Sequence, residues 1–437
     1  MRLTSEEVAD AVAGCHEGPP AVVEGASTDT RTLVAGQLFV PVLADRDGHD
    51  FVPAALAAGA AAYLTSRPPV GGTAVVVVDT SRALWELGRH ARTRLGDLVV
   101  GITGSVGKTT VKDLVAGGLG AGRRTHATRA SFNNELGVPL TLLAAPEGVE
   151  AVVVEMGARF PGDIAALVEL ARPTIGVVTS IGSAHLEHLG GPEGVRREKG
   201  SLVEGLPADG YAILNDVDCG DDVRSRTEAT VVTFGAASGD VRGSVVSLDD
   251  ELRPTVRIES PWGAGTITLS VRGAHQAVNA AAAVATSVCA GVDLEAALAG
   301  VASARGSGGR AELWRTPSGL RVLDDSYNAN PASTEAALRS LALVDAGRRV
   351  AVLGEMAELG EAGPAAHRAI GALAASLGIE VLAVAGAPYG GTPVATQDEA
   401  LRLIEALPSD SVVLVKGSRA VGLDRLAARL RDGVGAR

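Results

Sequence analysis

Lys108 and Thr109 close the run Gly101-Ile-Thr-Gly-Ser-Val-Gly-Lys-Thr-Thr110, in which glycines at 101, 104 and 107 precede a cation and a hydroxyl. A short apolar stretch, Leu98-Val99-Val100, leads in, and apolar residues at 111, 114, 115 and 119 give a helical period leading out. Glycines at a strand-to-helix turn let backbone N–H groups converge on one anion-sized hollow. The helix N-terminus adds unpaired donors and a partial positive charge. A lysine at that point supplies a charge for β- and γ-phosphates, and the hydroxyl supplies a ligand for Mg²⁺. The pattern is that of a nucleoside-triphosphate phosphate loop, with Gly104, Ser105, Gly107, Lys108, Thr109 and Thr110 around the phosphates. It is a variant, because the common G-x-x-x-x-G-K-[ST] spacing requires glycine where Ile102 stands.

A magnesium nucleotide needs further hard oxygen ligands. Val152-Val-Val-Glu155 places a carboxylate at the end of an apolar strand, the edge where open α/β sheets bind ligands, and this favours Glu155 as a metal ligand or water-orienting group. The strand Ile175–Thr179 leads to a loop ending in His185, which reads equally as a functional group and as polar surface; His188 nearby reads as surface. Arg196-Arg-Glu-Lys199 reads, on its residues alone, as a solvated charged helix face. Asp324-Asp-Ser-Tyr-Asn-Ala-Asn-Pro331 follows another strand and gathers carboxylates, a phenol and amides. Turn chemistry accounts for Asn and Pro there, while Asp325 and Tyr327 favour a ligand loop. Lys416 stands at a similar strand end.

The elements that must position these groups form an α/β pattern of short β-branched runs between longer helical stretches, which implies crossover units and mainly parallel sheets. Three segments separate. Residues 1–97 form a small α/β unit closed by a helix over 81–95. Residues 98–307 carry the phosphate loop, with three short antiparallel strands between 240 and 272 as an edge or extra sheet. Residues 308–437 form a second open sheet, Rossmann-like, after the linker Ser303-Ala-Arg-Gly-Ser-Gly-Gly309. The chain has 437 residues, net charge −12 and 3% aromatic content, which argues against nucleic-acid binding. Cys15, Cys219 and Cys289 read as reduced thiols. The acidic N-terminus reads as no signal peptide, and the apolar stretch 280–292 is too short to span a bilayer and reads as a buried helix. A cytoplasmic protein is expected.

With these pieces in place the chain resembles the Mur ligases, the ATP-dependent amide ligases of peptidoglycan precursor assembly, over nearly its whole length. The most specific stretches are Ser131-Phe-Asn-Asn-Glu-Leu-Gly-Val-Pro-Leu140, Asp325-Ser-Tyr-Asn-Ala-Asn-Pro331 and Gly354-Glu-Met-Ala-Glu-Leu-Gly360. The Asn-Ala-Asn-Pro form is similar to the branch that adds D-alanyl-D-alanine to UDP-N-acetylmuramoyl-tripeptide. The resemblance implies a three-domain architecture that holds the UDP-substrate, ATP and the incoming amine in chain order, and a monomer. It implies ATP and two Mg²⁺ ions, held by Lys108, Thr109, Glu155 and His185. It implies a carbamylated Lys199 as a further metal ligand, so that Lys108, His185 and Lys199 become catalytic. His275 and Asn279 fall in an adenine-side motif, and Arg310, Asp325 and Lys416 would reach the nucleotide or acyl phosphate. Thr28, Asp29, Thr30, Arg31, Gly48 and His49 resemble uridine-nucleotide loops, and Tyr327, Asn328 and Asn330 an amine or closure loop. The chain departs from the family at Val106, where asparagine is usual, at Gln276, and in a compressed loop over 44–47. The competing expectations are a family member acting on a different acid or amine, a regulatory nucleotide switch, and an inactive binding scaffold.

Overall fold

The computed structural model describes residues 1–182 and 186–433. Each of the three segments builds its own main sheet. In the first, strands Cys15–Glu17, Ala74–Val76, Ala62–Thr65, Leu38–Phe39 and Ala26–Ser27 lie in that order, all neighbours parallel except the first pair.

The second sheet has nine strands. Val99–Thr103 runs in its interior between Ile175–Val178 and Ala151–Glu155, both parallel to it. The chain leaves Val99–Thr103 toward one edge and later returns on the other side. This reversal opens a crevice at the strands' C-terminal ends. All five residues of Val99–Thr103 and of Ala151–Glu155 are buried, which accounts for their unbroken apolar runs. Val241–Leu248, Pro254–Ser260 and Gly263–Thr268 continue this same sheet, the first pairing parallel to Thr230–Gly235 and the others antiparallel. They are therefore its edge and not an added sheet.

The helix Lys108–Gly120 packs against Gln276–Cys289 and Leu294–Ser303. Small residues set the spacing: a Cβ on Gly118 would stand 2.3 Å from Ser287 Oγ, and one on Gly117 2.7 Å from Gly300 O. The alanine-rich stretch is thus a buried helix inside a tight helical layer.

The third sheet orders Glu312–Arg315, Arg321–Asp324, Val412–Lys416, Arg349–Leu353, Glu380–Val384 and Thr392–Val394, parallel except for the first pair. The hydrophobic cores do not follow the segment borders. The helix Thr80–Thr93 ends the first segment, yet Leu84 and Leu87 share one core with Val99, Val138 and Leu142 of the second. Buried Arg92 sews that joint by donating to Ala171 O at 2.6 Å and to Arg172 O at 3.1 Å. The three cysteines are free thiols, and among the described residues no helix is long and apolar enough to cross a membrane.

Candidate active site

The phosphate loop forms where the buried strand Val99–Thr103 meets the helix Lys108–Gly120. Ile102 is fully buried within the strand, so the turn is confined to residues 104–107; this is why the longer glycine spacing is not needed. Gly104 and Gly107 take φ of +147° and +86°, and a Cβ on Gly104 would stand 2.0 Å from Thr179 Oγ1. No side chain caps the helix, which leaves its first-turn donors to the cleft. Val106 donates its N–H to Ser180 Oγ at 2.9 Å, and Ser105 Oγ accepts from Gly182 N at 2.9 Å; the neighbouring loop thereby holds the phosphate loop in shape. Lys108 Nζ folds back to donate to Gly104 O at 2.5 Å. Enclosure lowers the lysine's pKa, opposed by the Glu155 carboxylate and assisted by Arg310.

Glu155 is 1% exposed. Its Oε1 accepts from Thr109 Oγ1 at 3.2 Å and from Asn133 Nδ2 at 2.7 Å, while its Oε2 is buried without a partner. An orphaned carboxylate oxygen beside a phosphate-loop hydroxyl fits a hard divalent cation, which commonly takes one or two carboxylates plus phosphate oxygens.

Lys199 overturns the reading of its segment as a solvated face. Its side chain is fully buried on the inner face of Pro192–Glu204, together with Val195, Leu202 and Val203. Its Nζ has no hydrogen-bond partner, and burial lowers its pKa from 10.5 to about 7, with Lys108 adding to the shift. An unpartnered amine that gives up its proton near neutral pH fits addition of CO₂, which would create an oxygen donor at that point. Glu198 is buried too, and accepts from Gly162 N at 2.8 Å and Ile164 N at 2.7 Å. His185 lies outside the described residues. His188 is exposed, its ring 5.4 Å from that of Phe160.

The third segment reaches into the same place. Arg310 Nη2 donates to Thr109 Oγ1 at 2.9 Å, and its guanidinium lies 4.4 Å from the centre of the Tyr327 ring. Tyr327 OH meets Ser131 Oγ, and Arg419 lies 5.4 Å from the same ring. Lys416, 2% exposed, donates to Asp325 Oδ2 at 2.5 Å and to Asn328 O at 2.9 Å. Asp325 Oδ1 accepts from Ala311 N at 3.2 Å, so the Asp325–Lys416 pair shapes the loop from within. Asn330 caps Pro331–Ala342 by accepting from Ser333 N at 2.9 Å. At the far side His275 opens Gln276–Cys289, and Asn279 Nδ2 donates to Gln276 Oε1 at 2.7 Å, close to Gly107. The unusual Gln276 thus acts as a local brace.

These groups line one cleft of about 1170 Å³ that includes Lys108, Thr109, Thr110, Glu155, His275, Asn279, Arg310, Asp325, Tyr327, Asn328, Asn330 and Lys416. Thr28 also reaches it, together with Trp85. The rest of the first segment's candidate set does not line the cleft. Asp29 is held by Arg31 through a bidentate pair at 2.9 and 2.7 Å. His49 is buried, with Nδ1 2.7 Å from Asp47 Oδ1 and Nε2 accepting from Ser66 N at 3.1 Å. Gly48 is required by packing, since a Cβ would stand 2.4 Å from Val42 N. His49 and Gly48 thus shape their loop. Sequence reasoning missed Asn133 as the partner of Glu155, although it lies in one of the most specific stretches. It also missed Lys112, which has the look of an ordinary helix lysine and is 1% exposed.

Two family models match the chain: the Mur ligase middle domain over residues 102–287, and the Mur ligase glutamate ligase domain over 309–419. The chain is similar to the UDP-N-acetylmuramoyl-tripeptide–D-alanyl-D-alanine ligase of Escherichia coli, at 34% identity over 99% of each chain. It is similar to that of Bacillus subtilis at 37% identity over 85% of this chain and 83% of the relative. Among solved structures, a crystal structure of MurF from Acinetobacter baumannii superposes with TM-score 0.85 at 31% identity over 99% of each chain. MurF from Thermotoga maritima in complex with ADP superposes with TM-score 0.78 at 29% identity over 94% of this chain and 97% of that one.

Proposed function

The chain belongs to the Mur ligase family, and we propose from this that it joins D-alanyl-D-alanine to UDP-N-acetylmuramoyl-tripeptide with consumption of ATP. One observation carries the reading beyond the family. A phosphate loop, the Glu155 carboxylate through its Oε1 and a cation from the third segment meet at one point, Thr109 Oγ1, and the other oxygen of that carboxylate, Oε2, is left without a partner. That is the arrangement needed to bring a triphosphate and a carboxylate, two anions, together.

An amide does not form from a free carboxylate at neutral pH without activation. Transfer of the γ-phosphoryl group to the substrate carboxylate gives an acyl phosphate and ADP. The amine then attacks the acyl carbon, a tetrahedral intermediate forms, and phosphate leaves. Lys108 and the loop N–H groups hold the β- and γ-phosphates, and Arg310 approaches from the third segment to offset charge as the phosphoryl group moves. Thr109 and Glu155 would hold magnesium, with His185 and a carbamylated Lys199 at a second site; bound there, the metal lowers repulsion between the reacting anions. His275 and Asn279, which line the same cleft as the phosphate loop, would contact the adenine side of the nucleotide. Thr28 and Trp85, the first segment's residues in the cleft, would face the UDP-linked peptide, and Tyr327 and Asn328 of the third segment the dipeptide. Residues 1–97, 98–307 and 308–437 would then serve acid, nucleotide and amine in turn, as a monomer in the cytoplasm.

The test is phosphate release from ATP and Mg²⁺ with UDP-N-acetylmuramoyl-tripeptide, with and without D-alanyl-D-alanine. Release that needs both substrates, with the pentapeptide product seen by mass, is the expected result. Binding of ATP without stimulation by either substrate would overturn the substrate assignment and leave the family standing.

A further inference from the structure

The helix after the phosphate loop makes contacts that the proposed reaction has not used. Thr109 and Asp113 lie four residues apart on Lys108–Gly120 and so share one face. Opposite them, Ser307 and Arg310 lie three residues apart in the segment that leads to Glu312–Arg315. Two rungs join these pairs. Arg310 Nη2 donates to Thr109 Oγ1 at 2.9 Å, and Ser307 donates to Asp113 Oδ2 through both its backbone N–H and its Oγ, each at 2.8 Å.

The second rung is anchored in the core. Asp113 Oδ1 lies 2.9 Å from Lys112 Nζ, which is 1% exposed and also donates to Thr128 O and Ala130 O at 2.8 Å each. An ammonium has three hydrogens, and here three acceptors meet them. The chain from Thr128 to Ala130 runs on into Ser131 and Asn133, which touch Tyr327 and Glu155. Ser307 is flanked by Gly306, Gly308 and Gly309, whose backbone has little conformational preference of its own. Such a linker cannot by itself place Arg310; a fixed point is needed three residues before it.

We propose, resting on the ligase reading above, that Asp113 is a positioning residue of the reaction: by gripping Ser307 it sets the register in which Arg310 meets the phosphate loop. Lys112 holds the Asp113 carboxylate from the core side, so the nucleotide helix, the loop bearing Asn133 and the entry to the third sheet move as one body. Asp113→Asn separates these roles. The amide keeps an oxygen for Lys112 and turns an N–H toward the N–H of Ser307, so that two donors face each other.

The experiment is a double-mutant cycle with Asp113→Asn, Arg310→Ala and the combination, in the full chain. Hydrogen exchange of the linker peptide around Ser307 is followed in each protein. Asp113→Asn is expected to lower kcat about tenfold with the KM for ATP little changed, and to speed exchange of the linker. The double variant is expected to be no slower than Arg310→Ala alone, because Asp113 acts through Arg310. Ser307→Thr, which keeps the hydroxyl, recovers most of the rate lost in Ser307→Ala. Losses that multiply in the double variant, or an Asp113→Asn protein of wild-type rate, would overturn the proposal. If the wild-type chain itself forms no pentapeptide, the ligase reading fails separately. The same four proteins are then compared by hydrogen exchange of the linker with ADP and Mg²⁺ present, where an Asp113→Asn linker that exchanges as slowly as wild type overturns the proposal.

Discussion

A buried amine without a hydrogen-bond partner costs free energy for as long as it keeps its proton, and Lys199 is in that position. Its pKa falls from 10.5 to about 7 through burial. Between those two values the unfolded chain binds a proton that the folded chain does not, so stability rises with pH across that window. In carbonate-free buffer, the difference in unfolding free energy between wild type and Lys199→Met should climb by up to about 1.4 kcal/mol per pH unit from about pH 8 to 10. Parallel pH curves would show that Lys199 titrates normally. Glu155 poses the complementary case. Glu155→Gln keeps Oε1 for Thr109 and Asn133 and changes only the orphaned atom. Turnover should drop by about a hundredfold or more while the melting temperature holds, a range typical of losing one stabilising group at a reacting centre. A variant with near wild-type turnover would remove Glu155 from the chemistry. The two residues also differ in how they could be read. The strand end pointed to Glu155, whereas Lys199 sits among Arg196, Arg197 and Glu198, and only its inward helical register separates it from surface charge.

At the scale of elements, the tight turn from strand to helix is the vulnerable part. Gly104→Ala sets a Cβ 2.0 Å from Thr179 Oγ1 at φ +147°, a geometry that must displace the loop. Nucleotide binding should be lost, with backbone strain of about 1–3 kcal/mol added to the clash. Gly36, at φ +90° with open space around it, serves as the comparison. Gly36→Ala should cost about 1–2 kcal/mol and leave ATP affinity unchanged. Calorimetric ATP binding to both variants checks the pair, and equal loss in the two would refute the steric account. The elements around the loop were legible because buried parallel strands and amphipathic helices carry strong periods. In the first sheet the apolar runs around Leu38–Phe39 and Ala74–Val76 read as strands, whereas Ala26–Ser27 did not, because two residues are too few for any period to register.

For the whole molecule, the shared core predicts how it comes apart. Leu84 and Leu87 pack in one cluster with Val99, Val138 and Leu142, so the first two segments should unfold together. The third sheet has clusters on its two faces, drawn almost wholly from its own segment, and should melt separately. Scanning calorimetry should therefore resolve two transitions rather than three. ADP with Mg²⁺ at about a hundredfold excess over its Kd should stabilise the unit holding the phosphate loop by about 2.7 kcal/mol. Three independent transitions would contradict the continuity of the core at Thr80–Thr93.

The sequence by itself determined the phosphate loop, the alternating α/β pattern, the strand-end position of Glu155 and the polar loop at Asp325, because each depends on local period, turn chemistry or the order of neighbouring residues. Only the tertiary structure decided which polar groups are shared and which are left over. It set Arg310 on Thr109 across 201 residues of chain, turned His49 inward to hold its own loop, and left Lys199 Nζ and Glu155 Oε2 without partners. Whether a side chain is free to act depends on every other group within reach of it, and that neighbourhood is assembled by long-range packing, which no local window of sequence contains.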